Sequence, residues 1–391
     1  MVGPLPTDVG GSYTTGVCKV VYELSRQSYD GVELYISSTN IHQYKAEKIS
    51  NYLYQYNGYR WVIFDAFCDI LFHPIKTIRE LLYHKNVCHQ KNPFRFEFYK
   101  LNIIRHIKRV KPDILHVHST ECASVYFANN GKLPIIDTMH GVFYFGHESQ
   151  KNMGDFLKSC VQQSDVITGL SENCRKLMKK YLNVPDNKLA IIPNGVDLSV
   201  YYFSERQRLK IRETYKVGQS TVFITVASIQ ERKGQLRFIK LLETLNIDYQ
   251  YWIIGSGPDK VQIQKFCERK GISAKVKFLG SIPSQELYKY YSAADIYAHP
   301  SKMEGQALSE MEAYATGLRI IVSKDIKDTI ASDVSNRLIY YVVDMDCVDA
   351  NNIKMWLRNC PIKRTSRNEL SWETVAKQYE NLYKTLYNKN K

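Results

Sequence analysis

Two glutamates, Glu304 and Glu312, are the residues of this sequence whose type and spacing are best suited to chemistry. They lie in the stretch DIYAHPSKMEGQALSEMEAYATG (residues 295–317), where an apolar run ends at a His-Pro pair, a polar loop follows, and apolar residues then recur at helical spacing. This pattern predicts a strand, a loop and a helix that begins near Gly305 or Gln306. Because a helix rises about 1.5 Å per residue, the two carboxylates would lie at most about 12 Å apart along its axis, and one could meet each end of an extended ligand.

The predicted helix start adds a second chemical feature. Its first backbone amides, at Ala307, Leu308 and Ser309, have no partner within the helix, and the positive end of the helix dipole points into the loop. A helix N-terminus of this kind binds phosphate and other anions. On spacing alone a simpler interpretation stays open, in which Glu304 only favours the helix N-terminus and Glu312 is a solvated charge.

Phosphate chemistry also needs cations and close backbone approach, and the sequence offers both. Arg232 and Lys233 follow an apolar run, and their planar fork and point charge can each neutralise a leaving diphosphate. Near the start of the chain, Gly10 and Gly11 precede a predicted helix, where a backbone can approach phosphate closely. A tight strand-to-helix turn explains the same glycines.

Three histidines lie at or near the ends of predicted strands. His116 and His118 are two positions apart and so share one face of a strand, but no third ligand of recognised spacing follows, which favours a packed pair over a metal site. His140 precedes Gly141 and would place an imidazole at the carboxyl edge of a sheet, where ligands of open α/β folds bind. A purely structural histidine is the alternative at this position.

The second half of the chain has the regular pattern that would position these groups. Its apolar runs cover residues 221–228, 251–257, 276–282, 294–300, 318–323 and 338–343. Helix-length segments separate most of them, which predicts a parallel, Rossmann-like sheet with crossover helices. The GSGPDK stretch at 255–260 lacks the third glycine of a dinucleotide fingerprint, and we interpret the D-x-D at 344–346 as a solvated turn.

Composition sets the outer bounds. A chain of 391 residues with 44% hydrophobic residues predicts two or three globular domains. The net charge of +14 is spread along the chain, which favours affinity for phosphorylated substrates or an anionic membrane surface over nucleic acid. Nine cysteines without a C-x-x-C pair favour reduced thiols in the cytosol. We expect no signal peptide and no membrane-spanning segment. For the amphipathic helices of residues 60–110, core packing is favoured over acceptor or membrane contact.

Residues 304–312 resemble the glutamate, seven residues, glutamate signature of retaining glycosyltransferases of the GT-B fold, particularly glycosyltransferase family 4. The resemblance implies that Glu304 lies by the donor sugar, that Glu312 holds the nucleotide ribose, and that the helix N-terminus cradles the diphosphate. The donor-binding residues of that N-terminus would be Gly305, Ala307, Leu308 and Ser309.

Further positions are similar to the same family. The resemblance implies that His140 contacts the donor sugar and phosphate and that Gly10 and Gly11 face the donor phosphates. Lys233 matches the lysine that family members place before a glycine. Ser228 stands where the family has an arginine, and Arg232 is a candidate substitute. Ile282, in FLGSIP, belongs to the stretch that resembles the reader of the nucleobase.

The resemblance covers most of the chain and implies an α/β protein of the GT-B fold, with two Rossmann-like domains and a cleft between them. Residues 1–200 would bind the acceptor, residues 201–370 would bind the nucleotide sugar, and a helix in residues 371–391 would cross back to the first domain. The implied enzyme is a retaining hexosyl- or N-acetylhexosaminyltransferase that needs neither metal nor cofactor. Its donor would be a UDP-sugar.

The implied acceptor is a glycan or a lipid-linked glycan of bacterial surface polysaccharide or capsule synthesis. The protein would then work in the cytoplasm, or peripherally at the inner face of the cell membrane. Two alternatives stay open. A catalytically inactive GT-B scaffold is favoured by Ser228 and by a first strand with only Met1 and Val2 as apolar residues. A UDP-sugar epimerase of the same overall fold is the other.

Overall fold

The chain forms two compact units in the computed structural model, which describes residues 1–5, 16–38, 48–50, 53–54, 59–86, 93–118, 124–141, 158–329, 339–359, 367 and 370–391. The first unit comprises Met1–Asn194 and Trp372–Lys391, and the second comprises Gly195–Ser371. The change of unit therefore comes earlier than the predicted boundary at residue 200. Its cause is Val196, which is buried in the core of the second unit and donates its amide to the carbonyl oxygen of Leu370 at 2.7 Å.

A six-stranded parallel sheet forms the centre of the first unit, in the order β2-β1-β5-β6-β7-β8. Its strands are β1 (Val2–Gly3), β2 (Ser37–Ser38), β5 (Leu115–His118), β6 (Ile135–Met139), β7 (Val166–Gly169) and β8 (Leu189–Ile191). A separate antiparallel pair consists of β3 (Lys48–Ser50) and β4 (Leu53–Tyr54). Strand β2 is as short as β1, because β1 beside it offers just Val2 and Gly3 for pairing.

Helices in the described part of the first unit include Gly16–Ser25, Tyr59–Phe72, Pro74–Asn86, Pro93–Val110, Ser124–Asn129, Glu172–Leu182 and Trp372–Lys389. The last of these is tied to the sheet by buried hydrogen bonds. His116 Nδ1 lies 2.7 Å from the hydroxyl of Tyr383, and His116 Nε2 lies 2.7 Å from Thr138 Oγ1. Thr138 Oγ1 is also 2.6 Å from Thr168 Oγ1 and 3.2 Å from the hydroxyl of Tyr379. The C-terminal helix is thus part of the first unit.

The second unit contains the parallel sheet that the apolar runs predict, in the order β11-β10-β9-β12-β13-β14. Its strands are β9 (Thr221–Val226), β10 (Tyr249–Ile254), β11 (Val276–Gly280), β12 (Ile296–His299), β13 (Arg319–Ser323) and β14 (Tyr340–Val343). The chain adds strands on one side of β9 and then returns to place β12 on its other side. Beyond the carboxyl ends of such a pair lies the crevice in which open α/β folds bind ligands.

Helices cover this second sheet on both faces. They are Glu205–Thr214, Gln235–Leu245, Lys260–Lys270, Ser284–Ala293, Leu308–Ala315 and Ala350–Asn359. Neighbouring residues of one strand belong to opposite cores, since Val222 and Ile224 pack in one apolar cluster and Phe223 in the other. A parallel sheet buried on both faces has near-continuous apolar strands, which is why these six strands are legible in the sequence.

Candidate active site

Lys233 and Glu304 come together beyond the carboxyl ends of the adjacent strands β9 and β12. Lys233 ends a short 3₁₀ turn, Glu231–Lys233, and Gly234 follows with a φ of 73°. A Cβ at Gly234 would lie only 2.2 Å from the carbonyl oxygen of Pro300, so glycine is needed for this close approach of the two loops. The Nζ of Lys233 donates to Oε1 of Glu304 as an ion pair.

Glu304 Oε1 is surrounded by four donor groups. Besides Lys233, the hydroxyl of Ser301 donates to it at 3.0 Å, and Arg232 Nη1 and His299 Nε2 each lie 3.7 Å away. The residue is only 6% exposed, so these contacts are made in a largely dry environment. The structure therefore brings the side chains of Glu304, Lys233 and Arg232 together.

The charge state of Glu304 follows from these neighbours. Burial alone would raise the pKa of its carboxyl, but the close approach of the His299 imidazole and the positive charge of Lys233 outweigh burial, and the pKa falls from its ordinary 4.5 to about 2. Glu304 is thus a carboxylate at neutral pH. It can stabilise developing positive charge or attack as a nucleophile, but it has no proton to donate.

His299 and Glu310 belong to the same cluster and were missed by the sequence reasoning. His299 ends β12 and is 3% exposed, and its Nδ1 forms a short hydrogen bond with Oε2 of the equally buried Glu310. Burial would lower the pKa of His299, but the carboxylate of Glu304 nearby and the hydrogen bond with Glu310 raise it above the ordinary value. The signal in the sequence is weak: it consists of two acidic residues, Glu310 and Glu312, in the short and otherwise largely apolar segment LSEMEAYA.

The helix after β12 begins slightly later than predicted. It spans Leu308–Ala315, with Ala307 as an extended N-cap residue (φ −87°, ψ 120°). Gly305 lies in the preceding loop, because the chain stays non-helical until Ala307. Leu308 and Ser309 are the first helical residues, so their amides belong to the N-terminal turn where the sequence predicts an anion site.

Glu312 lies inside this helix and is buried. It is 5% exposed, and the hydroxyl of Tyr291 donates to its Oε2 at 3.1 Å. The same hydroxyl lies 3.2 Å from the carbonyl oxygen of Ser309. The alternative that Glu312 is a solvated surface charge is therefore wrong.

Arg232 lies beside Glu304, whereas Ser228 and Ile282 make contacts elsewhere in the second unit. Arg232 has a side chain that is 42% exposed and donates from Nη1 to the carbonyl oxygen of Met303 at 3.0 Å, which holds its guanidinium beside Glu304. Ser228 instead accepts at its backbone oxygen from Gln235 Nε2 at 2.9 Å. Ile282 follows β11 and packs partly against the core of this unit.

In the first unit, His140 follows β6 and is held by a histidine of β5. Its Nε2 lies 3.0 Å from Nδ1 of His118, and the two rings stack with centroids 5.3 Å apart. Burial lowers the pKa of His140 to about 4, so the imidazole is neutral at pH 7. His116 and His118 share a strand face, with ring centroids 4.2 Å apart. Gly10 and Gly11 lie outside the described residues.

Within the described part of the chain, no group of three or more His, Cys, Asp or Glu side chains is arranged to hold a metal ion. None of the helices in the described ranges is long and apolar enough to cross a bilayer.

Comparison with known proteins gives matches in both units. The profile of "Glycosyltransferase Family 4" matches residues 57–200, and that of "Glycosyl transferases group 1" matches residues 207–344. The chain is 26% identical over 269 residues to alpha-monoglucosyldiacylglycerol synthase of Acholeplasma laidlawii, covering 63% of this chain and 68% of that protein.

Solved structures share the fold. Sucrose-phosphate synthase from Thermosynechococcus elongatus superimposes with a TM-score of 0.72 at 16% identity, covering 99% of this chain and 98% of that one. Anabaena HepE in complex with UDP-glucose gives 0.57 at 16% identity, covering 74% and 80%. The predicted α/β architecture and family are thereby confirmed: this chain belongs to glycosyltransferase family 4 and is a glycosyltransferase of the GT-B fold.

Proposed function

We propose that the protein transfers a sugar from a UDP-sugar to an acceptor hydroxyl with retention of anomeric configuration. The observation that carries this proposal is the buried, ionised Glu304 paired with Lys233 at the crevice between β9 and β12. A carboxylate and a cation held in one dry site can stabilise the two charges that separate when a glycosidic bond to diphosphate breaks.

Different groups of the protein stabilise the two charges. Positive charge develops on the sugar ring and is stabilised by Glu304. Negative charge develops on the leaving diphosphate and is stabilised by Lys233, by Arg232, and by the first amides of the helix Leu308–Ala315. These groups supply the neutralisation that a metal ion would otherwise provide, which supports a metal-independent reaction that needs no cofactor. We favour stabilisation by Glu304 over covalent attack.

The remaining donor contacts follow the resemblance. Glu312 would accept hydrogen bonds from the ribose, with Tyr291 fixing its carboxylate at 3.1 Å. Ile282, Gly10 and Gly11 would contact the nucleobase and the phosphates. His140, neutral and oriented by His118, would meet the donor sugar. UDP is supported by the similar fold of HepE, which binds UDP-glucose.

An exposed apolar surface on the first unit favours an acceptor that is attached to a membrane lipid. We call it the apolar helix pair: it consists of Tyr59–Phe72 and Pro74–Asn86, with Ile63, Phe64, Phe67, Ile70, Leu71, Phe72, Ile75, Ile78 and Leu82 all more than 40% exposed. Phe72 and Ile75 reach 69% and 75%. Exposed apolar patches of this size mark interaction sites rather than ordinary surface.

The charges around the apolar helix pair suit an anionic bilayer. Two of its three acidic residues, Asp65 and Glu80, are paired with Arg105 and Lys100 of the neighbouring helix. Lys76 lies 4.0 Å from Glu80 and keeps a side chain that is 74% exposed. Apolar side chains beside exposed cations are the pattern of interfacial helices. We therefore place the enzyme peripherally at the inner face of a bacterial membrane, in surface polysaccharide or glycolipid synthesis.

The donor is tested by nucleotide release. Wild-type protein and Glu304→Gln are incubated without metal with UDP-, GDP- and ADP-sugars, with and without membrane lipid extract. We expect the wild type to release UDP but neither GDP nor ADP, and Glu304→Gln to release none of them. The anomeric configuration of the product reports whether transfer proceeds with retention or inversion. UDP binding without release from any donor would indicate the inactive scaffold, and release of free sugar as its epimer would indicate the epimerase.

The membrane contact is tested by flotation with vesicles. Wild-type protein should float with phosphatidylglycerol vesicles and less with phosphatidylcholine vesicles, and the double variant Phe67→Ser, Ile75→Ser should lose most of this binding. Leu209 and Val261 are similarly exposed apolar residues on the second unit, so Leu209→Ser with Val261→Ser is the matched control. Equal flotation of both double variants would remove the apolar helix pair from the membrane contact.

A further inference from the structure

His299 is a buried imidazole with a carboxylate on each ring nitrogen. Its Nδ1 is bound to Glu310, and its Nε2 faces Glu304 at 3.7 Å. All three side chains are nearly inaccessible, with exposures of 3%, 3% and 6% for His299, Glu310 and Glu304. A carboxylate as buried as Glu310 is costly unless it is paired, and His299 is its partner.

Lys233 alone would not keep Glu304 paired once a donor binds. In the ligand-free protein Lys233 is paired with Glu304. A diphosphate that enters the site competes for the same ammonium, because phosphate oxygens attract lysine as strongly as a carboxylate does. Arg232 is partly solvated at 42% exposure and can turn toward the same phosphate. Both cations can therefore leave Glu304 at the moment when its charge is needed.

His299 differs from these two cations in its mobility. It ends a central strand, its ring packs against Tyr297 with centroids 6.0 Å apart, and Glu310 holds its far nitrogen from the helix. The imidazole cannot follow the diphosphate out of the cluster. It stays beside Glu304 whether or not a donor is bound.

We propose that His299, anchored by Glu310, is a positioning residue that holds Glu304 in place while Lys233 serves the diphosphate. The inference rests on the proposed function, since it assumes that Lys233 meets a phosphate. It assigns no role in bond making to His299, which acts through Glu304. In this proposal the pairing of Glu310 with His299 serves the reaction as well as the stability of the fold.

The arrangement makes a prediction about protonation. His299 must carry its second proton to bridge two carboxylates, and both partners raise its pKa against the effect of burial. The charged and titratable groups that face it are Glu304 from the loop, Glu310 from the helix, Tyr297 from β12, and Arg232 and Lys233 beyond Glu304. Removing the charge of Glu310 takes away one of the two stabilising partners, so the imidazolium should lose its proton at lower pH.

The test uses Glu310→Gln, which keeps the shape and the hydrogen-bonding oxygen but loses the charge. Imidazole nitrogen shifts are followed by NMR against pH in the ligand-free protein, with the His299 signal identified by its loss in His299→Gln. We expect His299 to be doubly protonated at pH 7 in the wild type, and its pKa to fall by about one unit or more in Glu310→Gln. Glu286→Gln, at an exposed residue that pairs with Lys289, is the control.

Kinetics supply the second measurement. In Glu310→Gln, kcat for the donor that wild type uses should fall by about tenfold or more as the pH rises from 6 to 8.5. The KM of the variant should change little. The kcat of the wild type should not fall in this way over the same pH range. If the pairing of His299 with Glu310 were purely structural, Glu310→Gln would lower the stability of the protein but would not make kcat fall with rising pH. A neutral His299 at pH 7 in the wild type, or an unchanged pH profile in the variant, would overturn the proposal.

The two proposals fail in different ways. If wild-type protein releases no nucleotide from any donor, the proposed function is wrong, and with it the positioning role of His299 in the reaction. The NMR titration still decides whether Glu310 anchors a protonated His299. If donors are turned over but the titration shows a neutral imidazole at His299, the proposed function stands and only the positioning role of His299 is wrong.

Discussion

The ammonium of Lys233 and the carboxylate of Glu304 form an ion pair across 71 positions of the chain. The pair exists because β9 and β12 are neighbours in the sheet, and because Gly234 lets the loop that follows β9 approach Pro300. Lys233 also helps to keep Glu304 ionised in a site that is largely closed to water. The enzyme therefore stores, in its ligand-free state, the two opposite charges that glycosyl transfer separates.

Replacing Lys233 by Met should reduce turnover far more than stability. The variant loses the cation nearest the expected diphosphate, which should lower kcat by about 100-fold or more. Glu304 keeps Ser301 and His299 as partners, so the melting temperature should fall only modestly. Lys302 pairs with the exposed Glu231, and Lys302→Met is the control that should keep full activity. Full activity of Lys233→Met at unchanged stability would refute the role of Lys233.

Replacing Glu312 by Ala should weaken UDP binding measured by calorimetry. If the ribose hydroxyls donate to this carboxylate, the loss should be about 1.5–3 kcal/mol. Tyr291→Phe leaves the carboxylate in place but removes the hydroxyl at 3.1 Å that orients it, so its effect on UDP affinity should be smaller. UDP affinity that is the same in Glu312→Ala and wild type would exclude Glu312 from the donor site.

The acid stability of the second unit should depend on Glu304. Its folded-state pKa of about 2 lies below the ordinary 4.5, so the ionised form stabilises the fold above pH 4.5, and this stabilisation is lost as the pH falls from 4.5 through 2. Urea unfolding of wild type and Glu304→Gln at several pH values isolates this contribution, which should amount to about 2–3 kcal/mol. Parallel pH dependences of the two proteins would show that Glu304 titrates normally.

Asp137 on β6 should show the opposite sign. Burial raises the pKa of its carboxyl to about 6 from 3.8, although the hydroxyl of Tyr126 donates to Oδ2 at 2.7 Å. The fold therefore loses stability as the pH rises through 3.8 to 6, when a buried charge must form. Asp137→Asn should raise the free energy of unfolding by about 1–3 kcal/mol at pH 8 and change it little at pH 4.

The control for this variant is Asp186→Asn. Asp186 is 65% exposed and pairs with Lys179, so its replacement should change stability little at either pH. A destabilised Asp137→Asn at pH 8 would mean that the carboxylate is better solvated or better bonded than the contacts of Asp137 indicate.

Much of the second unit is predictable from sequence because its strands are buried on both faces. Residues 221–226 and 319–323 are nearly continuous apolar runs, and such runs bounded by helices leave few alternatives to a parallel sheet. The first unit was harder, since β1 and β2 contain two residues each, too few for a periodic signal. The resemblance identified Glu304 and Lys233, and the sheet order explains why residues so distant in sequence meet.

The contact between His299 and Glu310 could not be predicted in the same way. It depends on the course of the loop between β12 and its helix, which no periodicity describes. A glutamate in the first turn of a helix is normally explained by the helix dipole, and that explanation needs no partner. Only the burial of the whole helix shows that Glu310 must be paired, and burial is a property of the fold.

The C-terminal helix has a practical consequence for building hybrid enzymes. Because Tyr379 and Tyr383 complete hydrogen bonds inside the first sheet, the first unit is assembled from two separate stretches of chain. A chimera that exchanges this half between two transferases therefore needs two junctions, one near Asn194 and one near Trp372. A single junction would set the tyrosines of one parent against the threonines and histidine of the other.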